Sequence, residues 1–134
     1  MKKALLILAG AALLAGCSCK TGPQTLCSSY RGVLPAADAA GIVTTLTFDS
    51  NGRYLERTDY LGKTDGVFNE HGNYNIKNNI ITTVNAAGET DYYRLEKNQI
   101  RRLDNRKKVI DGSLADAYVL PQTAGCVPFG NVIK

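Results

Sequence analysis

Four cysteines and one histidine carry the obvious reactive chemistry of this 134-residue chain. Cys17 follows Leu14-Ala15-Gly16, which fits a lipobox, where signal peptidase II cuts before a cysteine that has received diacylglycerol. Two early lysines and an apolar run up to Leu14 complete a signal-peptide pattern, and the run is too short to span a bilayer comfortably. We predict that Cys17 carries lipid and anchors the chain to a membrane. An ordinary secretory signal beside a chance cysteine is the alternative.

The lipobox also divides the chain. Residues 1–16 form the predicted signal-peptide helix, residues 17–28 a lipidated tether, and residues 29–134 one domain that can enclose a small core. Because Ser18 is not an aspartate, we expect the periplasmic face of the outer membrane in a Gram-negative host. Without residues 1–16 the chain has 14 basic and 12 acidic residues, too mild a charge to indicate a nucleic-acid partner.

The other three cysteines are Cys19, Cys27 and Cys126, and an exported chain can keep disulfides. Three single pairings are open. Cys27–Cys126 would join the ends of the domain and close a loop worth roughly 4–5 kcal/mol, and Cys19–Cys27 is the next choice. The cysteines lack close paired spacing and have no histidine near them, so a structural disulfide is favoured over a metal site. We expect no metal and no cofactor.

His71 is the only histidine, so any catalytic triad would have to use it. It lies between Glu70 and Gly72 in a predicted strand, where we expect it to face solvent. A metal site of His71 with Glu70 is disfavoured, because adjacent strand residues point to opposite faces. The chain also lacks a glycine-rich phosphate loop, paired catalytic carboxylates and a nucleophile elbow. The sequence therefore predicts a protein that is not an enzyme.

The elements that position these residues are predicted to be strands. Residues 41–48 alternate apolar and polar side chains and are rich in β-branched residues. Pro35 should end the strand before them, and Gly72 suggests a bulge or a sharp bend. Further strands are predicted at residues 53–60, 67–76, 80–84, 90–95, 99–103, 108–110 and 117–120, the last stopped by Pro121. Eight or nine short strands with frequent turns predict an all-β antiparallel barrel or sandwich.

Two charged features could contact a partner. Asp38 is the only charged residue in a corner of small residues, where it could bind a ligand or a partner, although capping the turn is favoured. The densest basic cluster is Arg101, Arg102, Arg106, Lys107 and Lys108. It could contact anionic headgroups, but a solvated hairpin edge is the more common explanation.

Several short motifs, in this order, resemble the NlpE N-terminal domain of envelope lipoproteins called copper resistance proteins. They are Tyr30, Gly32, Leu34-Pro35, Ala37-Asp38, Gly41-Ile42, Gly52-Arg53-Tyr54, Tyr60-Leu61-Gly62, Phe68 with Gly72 and Tyr74, and Tyr93-Arg94. One departure stands out. The family commonly has Cys-x-x-Cys where this chain has Ala36 and Ala39, on either side of Asp38, and methyl groups cannot ligate copper.

The resemblance implies a small lipocalin-like (calycin) β-barrel. It also implies a role in envelope stress sensing or copper homeostasis, with an inner-membrane sensor kinase as a possible partner. Some family members carry a second domain, for which we expect no counterpart here. From a different class, the runner-up function is a small-ligand-binding module of the periplasm, with the barrel mouth holding an apolar or aromatic ligand.

Overall fold

A computed structural model describes residues 25–126 and Phe129. The predicted signal peptide and most of the predicted tether, with Cys17 and Cys19, lie outside the described residues. No helix in the described part is long and apolar enough to cross a membrane.

Eight antiparallel strands form a closed barrel in which each strand pairs with the next and the last returns to the first. They are β1 (Ser28–Leu34), β2 (Ile42–Phe48), β3 (Arg53–Tyr60), β4 (Val67–Lys77), β5 (Ile80–Asn85), β6 (Thr90–Glu96), β7 (Gln99–Arg102) and β8 (Val119–Ala124). A short 3-10 helix, Ala115–Tyr118, precedes β8. The predicted all-β antiparallel barrel is confirmed.

The strand predicted at residues 108–110 is wrong. Leu103 and Val109 form only an isolated bridge. Between them, the Asp104 carboxylate accepts hydrogen bonds from the N–H groups of Arg106 and Lys108, both at or below 2.9 Å. These bonds hold a tight turn, so the segment continues as a loop after β7 instead of adding a strand.

The last strand passes through Pro121, where the sequence predicted that it would stop. The Gln122 N–H donates to the Asn98 carbonyl at 2.9 Å, so the backbone nitrogen of the preceding residue points away from β7 and towards β1. The β1–β8 ladder shifts register between Ser29 and Tyr30. An irregular ladder does not need a donor at every position, and a proline is tolerated there.

Inward-facing apolar side chains fill one half of the barrel, which we call the packed half. Its buried residues are Tyr30, Leu46, Phe48, Tyr54, Tyr74, Ile81, Tyr93, Ile100 and Leu120. The Phe48 ring contacts those of Tyr30 and Tyr74 edge to face, with centroids 6.1 and 4.9 Å apart. Each large apolar side chain buried in this way contributes roughly 1.5–3 kcal/mol.

The start of the first strand and the end of the last strand are linked at the base of the packed half. Cys27, just before β1, forms a disulfide with Cys126, just after β8, and their Cα atoms are 4.6 Å apart. The Tyr74 hydroxyl accepts a hydrogen bond from the Leu26 N–H at 2.7 Å and lies 2.5 Å from the Asp49 carbonyl oxygen. The base is therefore fixed by one covalent and several polar links.

β4 changes its pairing partner at Gly72. It pairs with β3 over residues 67–73 and with β5 over residues 72–77, so the two ladders overlap only at residues 72 and 73. A Cβ at position 72 would collide with the Val84 carbonyl oxygen, so glycine is required. The first half of β4 extends past the end of β5 and carries Glu70, and beyond it Phe68, out of the packed half.

Candidate functional site

The other end of the barrel holds two adjoining cavities with volumes of about 500 and 510 Å³. We call this end the open half. It lies where β1, β3, β5 and β7 end and their loops begin. Both cavities are lined by Leu34, Ile42, Tyr60, Asp91 and Arg102. Apolar and charged groups therefore share one space.

Strand alternation turns acidic side chains into the second cavity. On β3, the alternation that buries Tyr54 also points Glu56 inward, where it lines the cavity. Glu56 pairs with Leu46 on one side and with Glu70 on the other, and Glu70 lines the same cavity. Directly opposed residues have Cβ atoms about 4.5–5.5 Å apart, so two carboxyl groups are neighbours on the inner wall.

Arg102 and Asp91 form an ion pair beside these carboxyl groups. Arg102 Nη2 donates to Asp91 Oδ1 at 2.5 Å, and the guanidinium lies over the Tyr93 ring, 5.5 Å from its centroid. Burial alone would lower the pKa of Arg102, but Tyr93, Asp91 and Glu56 outweigh it and raise that pKa. Arg102 therefore stays charged, and its charge is matched by that of Asp91.

The two glutamates differ in their partners. Tyr54 Oη donates to Glu70 Oε1 at 3.1 Å. Within residues 25–126, Glu56 has no hydrogen-bond or ion-pair partner. Burial raises the pKa of Glu56 to about 7; the charges of Asp91 and Glu70 add to the effect and Arg102 opposes it. The Glu56 carboxyl group therefore exchanges a proton near neutral pH.

Aromatic side chains border the mouth. The rings of Tyr60 and Phe68 meet edge to face with centroids 5.7 Å apart, and Phe68 is 57% exposed. Below them, Thr44 and Thr58 line the second cavity on adjacent strands. From the mouth inward, the cavity passes from aromatic rings to hydroxyl groups to carboxyl groups.

The corner that stands in place of Cys-x-x-Cys lies in the loop between β1 and β2, away from the lining of either cavity. Ala36 and Ala39 are half-buried, and Asp38 is exposed. Lys63 Nζ, in the β3–β4 loop, donates to Asp38 Oδ2 at 2.6 Å. This hydrogen bond and the charge of Lys63 lower the pKa of Asp38. The contact with Lys63 ties the β1–β2 loop to the β3–β4 loop.

Of the other candidate residues, Cys27 and Cys126 are joined at the base, whereas Cys17 lies outside the described residues. His71 is exposed and pairs with Leu55 in the β3–β4 ladder, on the face opposite the cavity. Among residues 25–126 and 129, no group of three or more His, Cys, Asp or Glu side chains could hold a metal ion.

The barrel wall divides the basic cluster. Arg102 points inward to Asp91, whereas Arg101 Nε donates to Glu96 Oε2 at 3.0 Å. Lys107, in the loop after β7, lies over the ring of Tyr92, 5.1 Å from its centroid. The cluster therefore does not form one basic surface.

Sequence reasoning did not bring the four charged residues of the cavity together: it named Arg102 only in the basic cluster and Glu70 only beside His71, and it passed over Glu56 and Asp91. Alternation along residues 53–60 places Glu56 on the same face as Tyr54 and Thr58. The same parity places Glu70 on the face of Phe68 and Tyr74. The sequence therefore contained a signal for these two glutamates: each shares a strand face with apolar residues, and a charged residue is unusual on the face of a strand that points to a core.

A comparison with protein families places the chain. The model of the NlpE N-terminal domain matches residues 30–113, which is more than half of the chain. The chain belongs to this family. Lipoprotein NlpE of Escherichia coli strain K12 is 28% identical to it over 102 residues, which cover 75% of this chain and 42% of that protein.

Two crystal structures of other proteins resemble the barrel. A protein from Shewanella oneidensis that is described as a lipoprotein has a TM-score of 0.64 and 33% identity, covering 73% of this chain and 89% of that one. The Cpx pathway activator NlpE from Escherichia coli has a TM-score of 0.60 and 30% identity, covering 64% of this chain and 46% of that one. This chain therefore spans less than half the length of Escherichia coli NlpE.

Proposed function

We propose that this protein is a non-enzymatic lipoprotein of the cell envelope that takes part in envelope stress sensing. The observation that carries the proposal is the family match over residues 30–113, with the likeness of the barrel to the Cpx pathway activator NlpE. In this proposal lipid on Cys17 holds the protein on the periplasmic face of the outer membrane. The barrel supplies the surface that contacts an inner-membrane sensor kinase.

A reporter of the Cpx pathway in Escherichia coli tests this function. Overproduction of the full chain should raise the reporter signal, and Cys17→Ala should abolish the rise because the chain loses its lipid. Cys19→Ala is the matched control, since it removes a cysteine two residues away and leaves the lipobox intact. Ser18→Asp should retain the protein at the inner membrane and raise the signal further. A reporter that stays silent with every form would contradict the proposal.

We propose that any part in copper homeostasis does not use the corner between β1 and β2 as a copper site. The methyl groups of Ala36 and Ala39 offer no ligand to copper, and Asp38 is engaged by Lys63. Competitive titration with Cu(I) under reducing conditions should find no tight site in the full chain. The double variant Ala36→Cys/Ala39→Cys should gain one. Tight binding by the unaltered chain that persists when Cys19, Cys27 and Cys126 become serine would overturn this view, whereas binding that is lost in that variant would place the copper site at these cysteines.

A second candidate function is the binding of a small ligand, and the cavities in the open half favour it. Volumes of about 500 and 510 Å³ lie within the usual range of small-molecule sites. A ligand that binds only the folded state must raise the melting temperature. Calorimetric melting of the full chain against a panel of lipids and metabolites would test this candidate separately from signalling.

A further inference from the structure

We propose that the cavity of the open half binds a small organic cation, an aliphatic amine or diamine, through the carboxylates of Glu56 and Glu70. The proposal deepens the ligand-binding candidate and does not depend on stress sensing. It also replaces the apolar or aromatic ligand that the sequence suggested for the barrel mouth.

The charges on the inner wall are unbalanced. Three carboxyl groups, of Glu56, Glu70 and Asp91, line the second cavity with a single cation, Arg102. The ion pair of Asp91 with Arg102 cancels two of these charges. Glu70 receives a hydrogen bond from Tyr54, and Glu56 has no partner within residues 25–126. The group that would complete this wall is therefore a positively charged hydrogen-bond donor.

The position of Glu56 decides where such a cation would sit. Its strand partner Leu46 is fully buried, and so is Tyr93 nearby, so Glu56 lies at the floor of the cavity on top of the packed half. An ammonium group has three donors and no acceptor, which suits a site between two carboxylates. The floor would hold the amine of the ligand.

The walls above the floor suit an aliphatic chain that ends in a second amine. Thr44 and Thr58 present methyl and hydroxyl groups at the middle of the cavity. The rings of Tyr60 and Phe68 stand at the mouth. Aromatic faces attract ammonium groups within about 6 Å of the ring centroid. A diamine could therefore be held at both ends.

Two other ligand classes fit less well. A fatty acyl chain in this cavity would cover an unpaired carboxylate with apolar surface, which is costly, and an anionic head group would be repelled by the glutamates. A metal ion is also disfavoured, because the ion pair with Arg102 engages Asp91 and leaves only two carboxylates, those of Glu56 and Glu70, as ligands.

The protonation of Glu56 adds a pH dependence. Its carboxyl group is faced by Glu70, Asp91, Arg102, Tyr54 and Tyr93, and the balance raises the pKa of Glu56 to about 7, with burial as the main cause. A bound cation favours the ionised carboxylate, so binding releases a proton. Affinity should therefore rise with pH through neutrality.

Isothermal titration of the full chain, purified in a nonionic detergent, with putrescine tests the proposal. We expect saturable binding of one diamine per chain, stronger at about pH 8 than at about pH 6. Glu56→Gln should weaken binding about tenfold or more, because a charged hydrogen bond is lost. Glu89→Gln is the matched control: it removes the same charge from the exposed β5–β6 turn and should leave affinity unchanged.

Control titrations separate the other outcomes. Magnesium chloride at equal ionic strength should give no saturable binding, and an equal response to both cations would overturn the proposal as a counter-ion effect. Binding of decanoate without putrescine would overturn the cationic ligand and keep the ligand-binding candidate. If neither putrescine nor decanoate binds, both the cationic ligand and the ligand-binding candidate are overturned. The reporter test of stress sensing does not depend on this result. Calorimetric melting of Glu56→Gln should show a cooperative transition at or above that of the wild type, which establishes that the variant is folded.

Discussion

The two halves of the barrel are built from the same eight strands but filled in opposite ways. In the packed half, Phe48 and Tyr54 face each other across β2 and β3 in an apolar interior closed at its base by a disulfide. Two residues further along the same strands, Leu46 faces Glu56, and the interior becomes polar and open. β3 therefore contributes a buried core residue in the packed half and a cavity-lining carboxyl group in the open half.

This difference indicates that stability and the proposed binding are separated along the barrel axis. Substitutions in the packed half should change the free energy of unfolding, and those in the open half should change protonation and ligand affinity. Four comparisons between matched residues can break or sharpen this view.

The largest effect is expected for two phenylalanines that differ in burial. Phe48→Ala removes a fully buried ring that packs against Tyr30 and Tyr74, and should lower the free energy of unfolding by about 3–5 kcal/mol. Phe68→Ala, at the mouth, should cost less than about 1 kcal/mol because the ring is mostly exposed. Urea unfolding of both variants measures the difference, and equal losses would remove the distinction between the halves.

The disulfide at the base should contribute next. Replacing Cys27 and Cys126 by serine should lower the free energy of unfolding by about 2–5 kcal/mol, since the bond constrains an unfolded loop with a sequence separation of 99 residues. Denaturant melts of the double variant and of the oxidised wild type give the value. Affinity for putrescine should be unchanged in the variant, and a loss there would show that the base controls the cavity.

The third comparison concerns Glu56. Its pKa in the folded state is about 7, above the ordinary value of 4.5, so the folded state binds the extra proton between these values. The free energy of unfolding should therefore fall as pH rises from 4.5 to about 7, by at most about 3 kcal/mol, and then level off. Glu56→Gln should lose most of this decline, whereas Glu89→Gln should keep it. Measuring the free energy of unfolding of both variants across this pH range checks the prediction. If Glu56→Gln keeps the same dependence on pH as the wild type, Glu56 is not buried as described.

The smallest effect belongs to Glu96, at the base of the β6–β7 hairpin. Burial alone would raise its pKa, but hydrogen bonds from Arg101, Gln99 and Arg94 outweigh it and lower that pKa to about 2. The stability from this carboxylate is present above the ordinary value of 4.5 and is lost as pH falls towards 2, the reverse of Glu56. Glu96→Gln should cost less than about 1 kcal/mol near pH 6, because its ion pairs with Arg94 and Arg101 remain partly exposed to solvent. Near pH 2 the difference from the wild type should vanish.

Local sequence patterns were sufficient for most of the barrel. The end of β1 before Pro35 follows from the chemistry of a single residue, and the β3 prediction matches Arg53–Tyr60 at both ends. These features depend on alternation and on backbone geometry, which neighbouring residues determine. Errors occurred where a distant strand decided the outcome, as at Pro121, which an irregular ladder with β1 tolerates.

The cavity could be foreseen only in part. The phase of Glu56 within β3 shows that it faces inward, but not that Glu70 and Asp91 face the same space, since this depends on how far each strand is staggered around the barrel. The ion pair of Asp38 with Lys63 joins residues 25 apart in different loops. Neither the stagger nor the loop contact has a local signal.

The base of the barrel also determines its orientation. The segment leading to Cys17 leaves the barrel at Leu26, beside the disulfide, and the cavity opens at the opposite pole. Seven residues lie between Cys17 and Thr25, so the two Cα atoms can be roughly 30 Å apart at most. Lipid on Cys17 would thus attach the barrel to the membrane at the end that carries the disulfide. The mouth, with its carboxylates and aromatic rim, would then point away from the bilayer that holds the lipid.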